Sequence, residues 1–273
     1  MKLSVTMLSF TDYIRKGQMS VKDFIELAAD YEIEAVDLLE YYWRDKDTEI
    51  KMVPQWLRDA NLKLGAFCIG NNFLVDIEER RKQIEMVRNG IETAYRLGVN
   101  KLRVFGGHLN NLKEEERQKW LDVIIDTFVQ CIDYAKENGV ILALENHNDI
   151  PIKIEEVEKI LKALNSEYFM MNFDIGNFYL SAGEDPIEAV DRLYDYIVHC
   201  HVKDAVYSRR EGRKYDFCVV GEGIVPVKQT FAKLKQKGYD GYISLEYEGW
   251  DTFDSKLGVE KSIAYLKNVI KEL

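Results

Sequence analysis

The chain has 273 residues, is 47% hydrophobic and 31% charged, and carries a net charge of −10. That length suits one large core or two small ones, and the acidic balance argues against nucleic acid or a membrane surface as partner, since both demand clustered Lys and Arg. No stretch approaches the roughly 20 apolar residues of a membrane span, and MKLSVTMLSF at the start is too short, and too polar downstream, for a secretory signal.

Short apolar runs alternate with longer helical segments eight times. The strand candidates are KLSVTML (2–8), EAVDLLE (34–40), KLGAFCIG (63–70), KLRVFGG (101–107), VILALEN (140–146), YFMMNFD (168–174), YIVHCHV (196–202) and GYISLEY (241–247). Few charges interrupt them before their last residues, the pattern of strands buried on both faces. Helix signals fill the gaps. Ser20 with Asp23, Asp76 with Glu79 and Asn111 with Glu114 have capping-box spacing. Asp185-Pro186 followed by Glu188 reads as an N-cap, a first-turn proline and an acidic third residue. Gly98, Gly139 and Gly238 fall where helices should stop. Leu121, Ile124, Ile125, Phe128, Ile132 and Ala135 form a stripe stepping by three or four, which should lie against the sheet. Cys68, Cys131, Cys200 and Cys218 contain no C-x-x-C pair and read as reduced thiols of a cytoplasmic protein.

Eight strand–helix units predict a (β/α)8 barrel, a TIM barrel, as one domain over 1–273. A doubly wound open sheet is the alternative, and no Gly-x-Gly-x-x-Gly follows the first strand to support it.

Barrels of this kind place their chemistry where the strands end. Side chains alternate along a strand, so Ala143, Glu145 and His147 share a face, as do Asn172 and Asp174, then His199, His201 and Lys203, then Ser244, Glu246 and Glu248. These strands are consecutive in the chain. Glu145, Asp174, His201 and Glu246 can therefore converge on one point. Three carboxylates and an imidazole suit one divalent cation, Mn²⁺, Mg²⁺, Co²⁺ or Zn²⁺. The alternative for any single one is a rim residue or an ion-pair partner. His147, Lys203, His108, Glu222 and His199 are candidates for contact with substrate, His199 also as a packed supporting group. Tyr41 and Trp43 are candidates for a pocket wall or for core.

LALENHND, NFDIGNFYLSAGEDP, HCHVKDA and GEGIVPVKQTFAKLKQKGYDGYISLEYEG, in that order and spacing, resemble the sugar phosphate isomerase/epimerase superfamily of xylose isomerase-like barrels. The resemblance runs along essentially the whole chain. It implies one divalent metal on Glu145, Asp174, His201 and Glu246, and, from the ketose epimerases, proton transfer by Glu145 and Glu246 on opposite faces of a sugar. It departs from the tagatose/psicose epimerases, which carry Gly-Glu and a later arginine where this chain has Lys203-Asp204 and Tyr207. It departs from the DNA-repairing endonuclease IV branch, which has a histidine where Asn177 stands and another near FCIGNNF.

The expected function is a metal-dependent isomerase or epimerase of a ketose, keto-sugar or cyclitol, working through an enediolate. Dehydration or lysis of a keto-sugar or inosose on the same residues is the alternative. Lys203 would then stabilise the enediolate or protonate a leaving group. An endonuclease IV-like activity and a non-catalytic sugar-binding barrel are the other classes. A homo-oligomer is compatible with the sequence.

Overall fold

In the computed structural model, which describes residues 1–147 and 149–273, eight parallel strands close into a barrel. They are β1 (Lys2–Thr6), β2 (Ala35–Leu39), β3 (Lys63–Cys68), β4 (Lys101–Val104), β5 (Ile141–Glu145), β6 (Phe169–Asp174), β7 (Ile197–Val202) and β10 (Tyr242–Leu245). Around the barrel the order is β1-β10-β7-β6-β5-β4-β3-β2. Every predicted strand is present, and most end a few residues before the apolar run does. An antiparallel hairpin, β8 (Asp204–Tyr207) with β9 (Tyr215–Cys218), follows β7. It has no counterpart among the predicted elements.

The helices are α1 (Thr11–Arg15), α2 (Val21–Asp30), α3 (Lys46–Asp59), α4 (Ile77–Leu97), α5 (Glu114–Glu137), α6 (Ile154–Leu164), α7 (Pro186–Leu193), α8 (Val227–Lys237) and α9 (Ser255–Glu272). Local chemistry sets most of their starts. Ser20 and Asp23 close a full capping box on α2, Asp76 accepts from the Glu78 and Glu79 amides, and Asp185 accepts from Ile187 ahead of Pro186. The Asn111–Glu114 spacing does not cap a helix. Asn111 has φ +63°, a left-handed turn conformation, and α5 begins after Lys113, whose amide is held by Glu116. Gly98 and Gly238 end α4 and α8 in the left-handed conformation. On α5, Leu121, Ile124, Phe128 and Ala135 are buried, while Ile125 and Ile132 lie at the edge of the stripe.

Alternation sorts each strand. Leu102, Val104, Leu142, Leu144, Met171, Phe173, Cys200, Val202, Ile243 and Leu245 are buried between the sheet and the helices. The intervening positions turn into the barrel and are largely polar: Ser4, Asp37, Arg103, Asn172, His199 and Ser244, all buried. Branched aliphatic side chains usually fill this space. Here hydrogen bonds centred on Asp37 hold part of it. His199 Nε2 lies 2.7 Å from Asp37 Oδ2, spanning strands that are not neighbours, and Asp37 Oδ1 accepts from Ser4 Oγ at 3.2 Å and the Ala66 amide at 3.0 Å. Room for the Asp37 carboxylate comes from Gly65, where a Cβ would sit 2.5 Å from Asp37 Oδ1 and 3.3 Å from His199 Cε1. Gly65→Ala should therefore destabilise the barrel by about 1–3 kcal/mol, the usual cost of overpacking. A urea midpoint equal to that of the native chain would show that the interior yields to the extra methyl.

Candidate active site

Four predicted residues meet where the strands end. Glu145 is the last residue of β5, Asp174 the last of β6, His201 the penultimate residue of β7, and Glu246 follows β10. Each offers a donor atom, and the four atoms lie within 4.8 Å of one another. None of the four side chains is more than 6% exposed, so the cluster is charged and nearly sealed from water.

Its geometry is fixed from several sides. His201 turns Nδ1 toward Glu145 Oε2 (3.5 Å) and Glu246 Oε1 (3.8 Å), and its Nε2 lies 3.6 Å from Asp37 Oδ2. Asn146 clamps the end of β6, accepting from the Asp174 amide and donating to its carbonyl, each at 2.9 Å. Asn177, on the π-helical turn after β6, donates its amide to Asp174 Oδ1 at 2.7 Å and its side chain to Glu145 Oε1 at 3.4 Å. Asn172 Nδ2 donates to Glu145 Oε2 at 3.1 Å. Lys203 Nζ lies 2.7 Å from Glu246 Oε2, 2.8 Å from Glu248 Oε1 and 3.1 Å from Asp174 Oδ2. A side chain at Gly176 would collide with the Lys203 stem, so the backbone after β6 is bare where the lysine passes.

Burial governs how these groups titrate. It raises every carboxylate, and neighbouring charge decides the outcome. At Glu145 the His201 and Arg103 charges override burial and hold the group well below its usual range. At Glu246, Lys203 and then His201 outweigh burial and hold the group below its usual range. Asp174 goes the other way: burial pushes it up to about 7 despite Lys203. His201 is held charged by Glu145 and Asp37 against its own burial, and Lys203 by Asp174, Glu246 and Glu248. Burial pushes His147 down to about 4, so it is neutral near pH 7.

These donors fit a divalent cation. Asp174 Oδ2 and both His201 nitrogens are shut off from solvent without a hydrogen-bond partner, and the set mixes carboxylate oxygen with imidazole nitrogen. Lys203 stands in part where such a charge would act, against Asp174 and Glu246.

The other predicted residues divide. Lys203 joins the cluster. His199 lies one layer below it, fully buried against Asp37, and does not reach the mouth. His147 stacks on Phe105, ring centroids 4.4 Å apart, beside the cluster. His108 stays outside: it is exposed, with Nδ1 2.7 Å from Asp149 Oδ2 and Nε2 3.2 Å from Asn110 Oδ1, both on nearby loops. Glu222 is also exposed. The group that orders its loop is Asp204, which accepts from the Gly221, Gly223 and Val225 amides at 2.9–3.0 Å. Tyr41 is exposed, and Trp43 packs against Phe67 at 6.3 Å between centroids.

Two site residues escaped the sequence reading. Asp37 is a single acid inside the apolar run EAVDLLE, and Arg103 a single base inside KLRVFGG. A charge at an inward strand position was the available signal for both.

Comparison with known proteins supports the architecture. An uncharacterised protein of Methanocaldococcus jannaschii, MJ1311, is 28% identical over 61% of this chain and 57% of its own length. An inosose dehydratase of Lacticaseibacillus casei is 27% identical over 42% of this chain and 43% of its own. The chain thus spans about half the length of the curated relatives it matches. Among solved structures, a D-tagatose 3-epimerase-like protein superposes with a TM-score of 0.78 at 23% identity, covering 99% of this chain and 97% of the other. An IolI protein with a bound zinc atom superposes at 0.78 and 17% identity, covering 100% and 99%. These structural likenesses speak to the fold. The family description xylose isomerase-like TIM barrel matches residues 25–269, and with that match and the closed eight-stranded barrel the chain belongs to the xylose isomerase-like TIM barrel family.

Proposed function

We propose that the protein is a divalent-metal-dependent isomerase or epimerase of a keto-sugar or cyclitol, with Glu145, Asp174, His201 and Glu246 holding the cation. The observation that carries this is the convergence of their four donor atoms at the mouth. A bound divalent cation supplies Lewis acidity toward a carbonyl oxygen, which acidifies the neighbouring C–H. Glu145 and Glu246, both kept ionised by adjacent cations, serve as bases on the carbon next to that carbonyl. Whichever takes the proton leaves an enediolate. Return of a proton to the same carbon from the opposite face is epimerisation, and return to the neighbouring carbon is isomerisation.

Dehydration is the second reading, and one feature favours it. Lys203, buried among Asp174, Glu246 and Glu248, is a proton donor placed to meet a departing hydroxyl. The inosose dehydratase among the sequence relatives agrees with it. Both readings share the first proton abstraction. Incubation with Mn²⁺ and a panel of ketoses and inososes in D₂O reads that step directly. Solvent deuterium next to the carbonyl is expected, and a metal-loaded chain that exchanges nothing across the panel defeats both readings.

General acid–base steps contribute about 10²–10⁴-fold, so Glu145→Gln and Glu246→Gln should each lower turnover by about 100-fold or more with the melting temperature little changed. Turnover near that of the native chain in either variant removes that glutamate from proton transfer. Cation affinity should also depend on pH with a definite sign. Asp174, near 7 without a cation, and His201, held charged, must each release a proton to become ligands. Mn²⁺ affinity should therefore rise from about pH 6 to about pH 8. A flat affinity across that range argues that other atoms hold the ion.

A further inference from the structure

Arg103 helps keep Glu145 ionised, yet no contact with substrate has been assigned to this permanent charge at the same mouth. It lies on β4, its residue only 4% exposed, and its register partner Ala143 sits two residues before Glu145. Its Nε and Nη1 are sealed from solvent and find no hydrogen-bond partner. Its ion pair, Nε to Glu145 Oε2 at 3.3 Å, lacks the direction of a hydrogen bond. Glu145 already accepts from Asn172 and Asn177 and faces His201. When Glu145 serves a cation, as the proposed function requires, Arg103 has no other carboxylate within ion-pair distance among the described residues.

The guanidinium is held in place for a ligand. Its carbon lies 3.9 Å above the centre of the Phe105 ring, which fixes its plane. Phe105 is in turn clamped by Asn71, which donates to its carbonyl at 2.6 Å and accepts from its amide at 2.9 Å. Lys203, the other buried cation, differs in kind: its ammonium already has three carboxylates for partners. A rigidly held guanidinium with unpartnered N–H groups in a water-poor site matches a carboxylate in charge and in hydrogen bonding.

We infer that Arg103 forms a carboxylate-binding subsite beside the proposed metal ligands, so that the substrate is an acidic keto-sugar rather than a neutral one. This rests on the proposed function for its location and deepens it by naming the substrate class. A substrate carboxylate would give the unpartnered N–H groups of Arg103 an acceptor, beside the ion pair with Glu145, and orient the carbonyl toward Glu145.

The test uses three probes sharing one hydroxyketone unit: dihydroxyacetone, hydroxypyruvate and dihydroxyacetone phosphate, titrated calorimetrically into the full Mn²⁺-loaded chain. Hydroxypyruvate should bind most tightly. Its carboxylate can also reach Mn²⁺, so Arg103→Met isolates the arginine. In that variant hydroxypyruvate should weaken by about 10- to 100-fold more than dihydroxyacetone does, the range for hydrogen bonds to a charged group, the dihydroxyacetone change reporting what both probes lose through Glu145. Arg103→Lys, which keeps charge without the guanidinium, should fall between. Equal weakening of both probes in Arg103→Met, or no weakening of hydroxypyruvate, overturns the subsite. If Arg103→Met does not fold, Arg103→Lys decides: hydroxypyruvate weakened there no more than dihydroxyacetone overturns the subsite, and in the native chain tighter binding of the phosphate than of hydroxypyruvate overturns the carboxylate assignment. The readout is binding, so a subsite confirmed in this way stands even where deuterium exchange fails and the proposed reaction falls.

Discussion

The constraint on which the site depends is the burial of carboxylates. Glu145, Asp174 and Glu246 sit together with almost no access to water, where an isolated ionised carboxylate is costly by several kcal/mol even after relaxation. Two ionise because His201, Arg103 and Lys203 supply positive charge around them, and the third, Asp174, is pushed up to about 7 and is only partly ionised at pH 7. Positive charge thus does not fully offset burial at all three carboxylates, and on the proposed reading that shortfall would favour a further cation at the strand ends.

A polar barrel interior makes such a cluster tolerable. The buried bond between Asp37 and His199 crosses the barrel beneath His201, and the same carboxylate faces His201 Nε2. One acid anchored by Ser4, the Ala66 amide and His199 thereby limits the rotation of His201 and leaves Nδ1 facing Glu145 and Glu246. Outside the barrel wall, the apolar layer supplies the burial that holds the strands in register. The two sides of each strand therefore have separate duties: the outward side chains stabilise the barrel, and the inward ones aim the polar groups.

How much of this was legible in the sequence follows from the range of each interaction. Strands announced themselves because apolar runs are local, and the caps at Ser20, Asp76 and Asp185 because a side chain and the amide it binds lie within three residues. The meeting of Glu145, Asp174, His201 and Glu246 was legible by a longer rule, strand alternation combined with consecutive strands. Asp37 and Arg103 were not, because their partners lie 162 and 42 residues away and nothing in EAVDLLE or KLRVFGG says which way the charge faces. His108 and Glu222 failed in the opposite sense. Each follows a strand, but each is carried outward on a loop whose path is set by contacts at Asp149 and Asp204. Asn177 stood out as a departure from a histidine-bearing relative, and the structure gives that difference a use, since its amide and side chain brace Asp174 and Glu145.

On the proposed reading, the fate of the enediolate turns on Lys203. With Asp174, Glu246 and Glu248 around it, the ammonium is held charged far above its ordinary range, and so firmly held a proton makes a poor general acid. Asp174 and Glu246 are also among the residues that would hold the proposed cation, and a cation there would share their negative charge with the lysine, leaving Glu248 as the partner it does not share. The same event that readies the carbonyl for proton loss would then lower the cost of giving up the lysine proton. On that reading the site would favour loss of a hydroxyl when one stands near Lys203, and where none does the proton held by a glutamate would return to carbon. The substrate's own oxygens, positioned by the neighbouring side chains, would select between elimination and rearrangement on an unchanged set of catalytic groups.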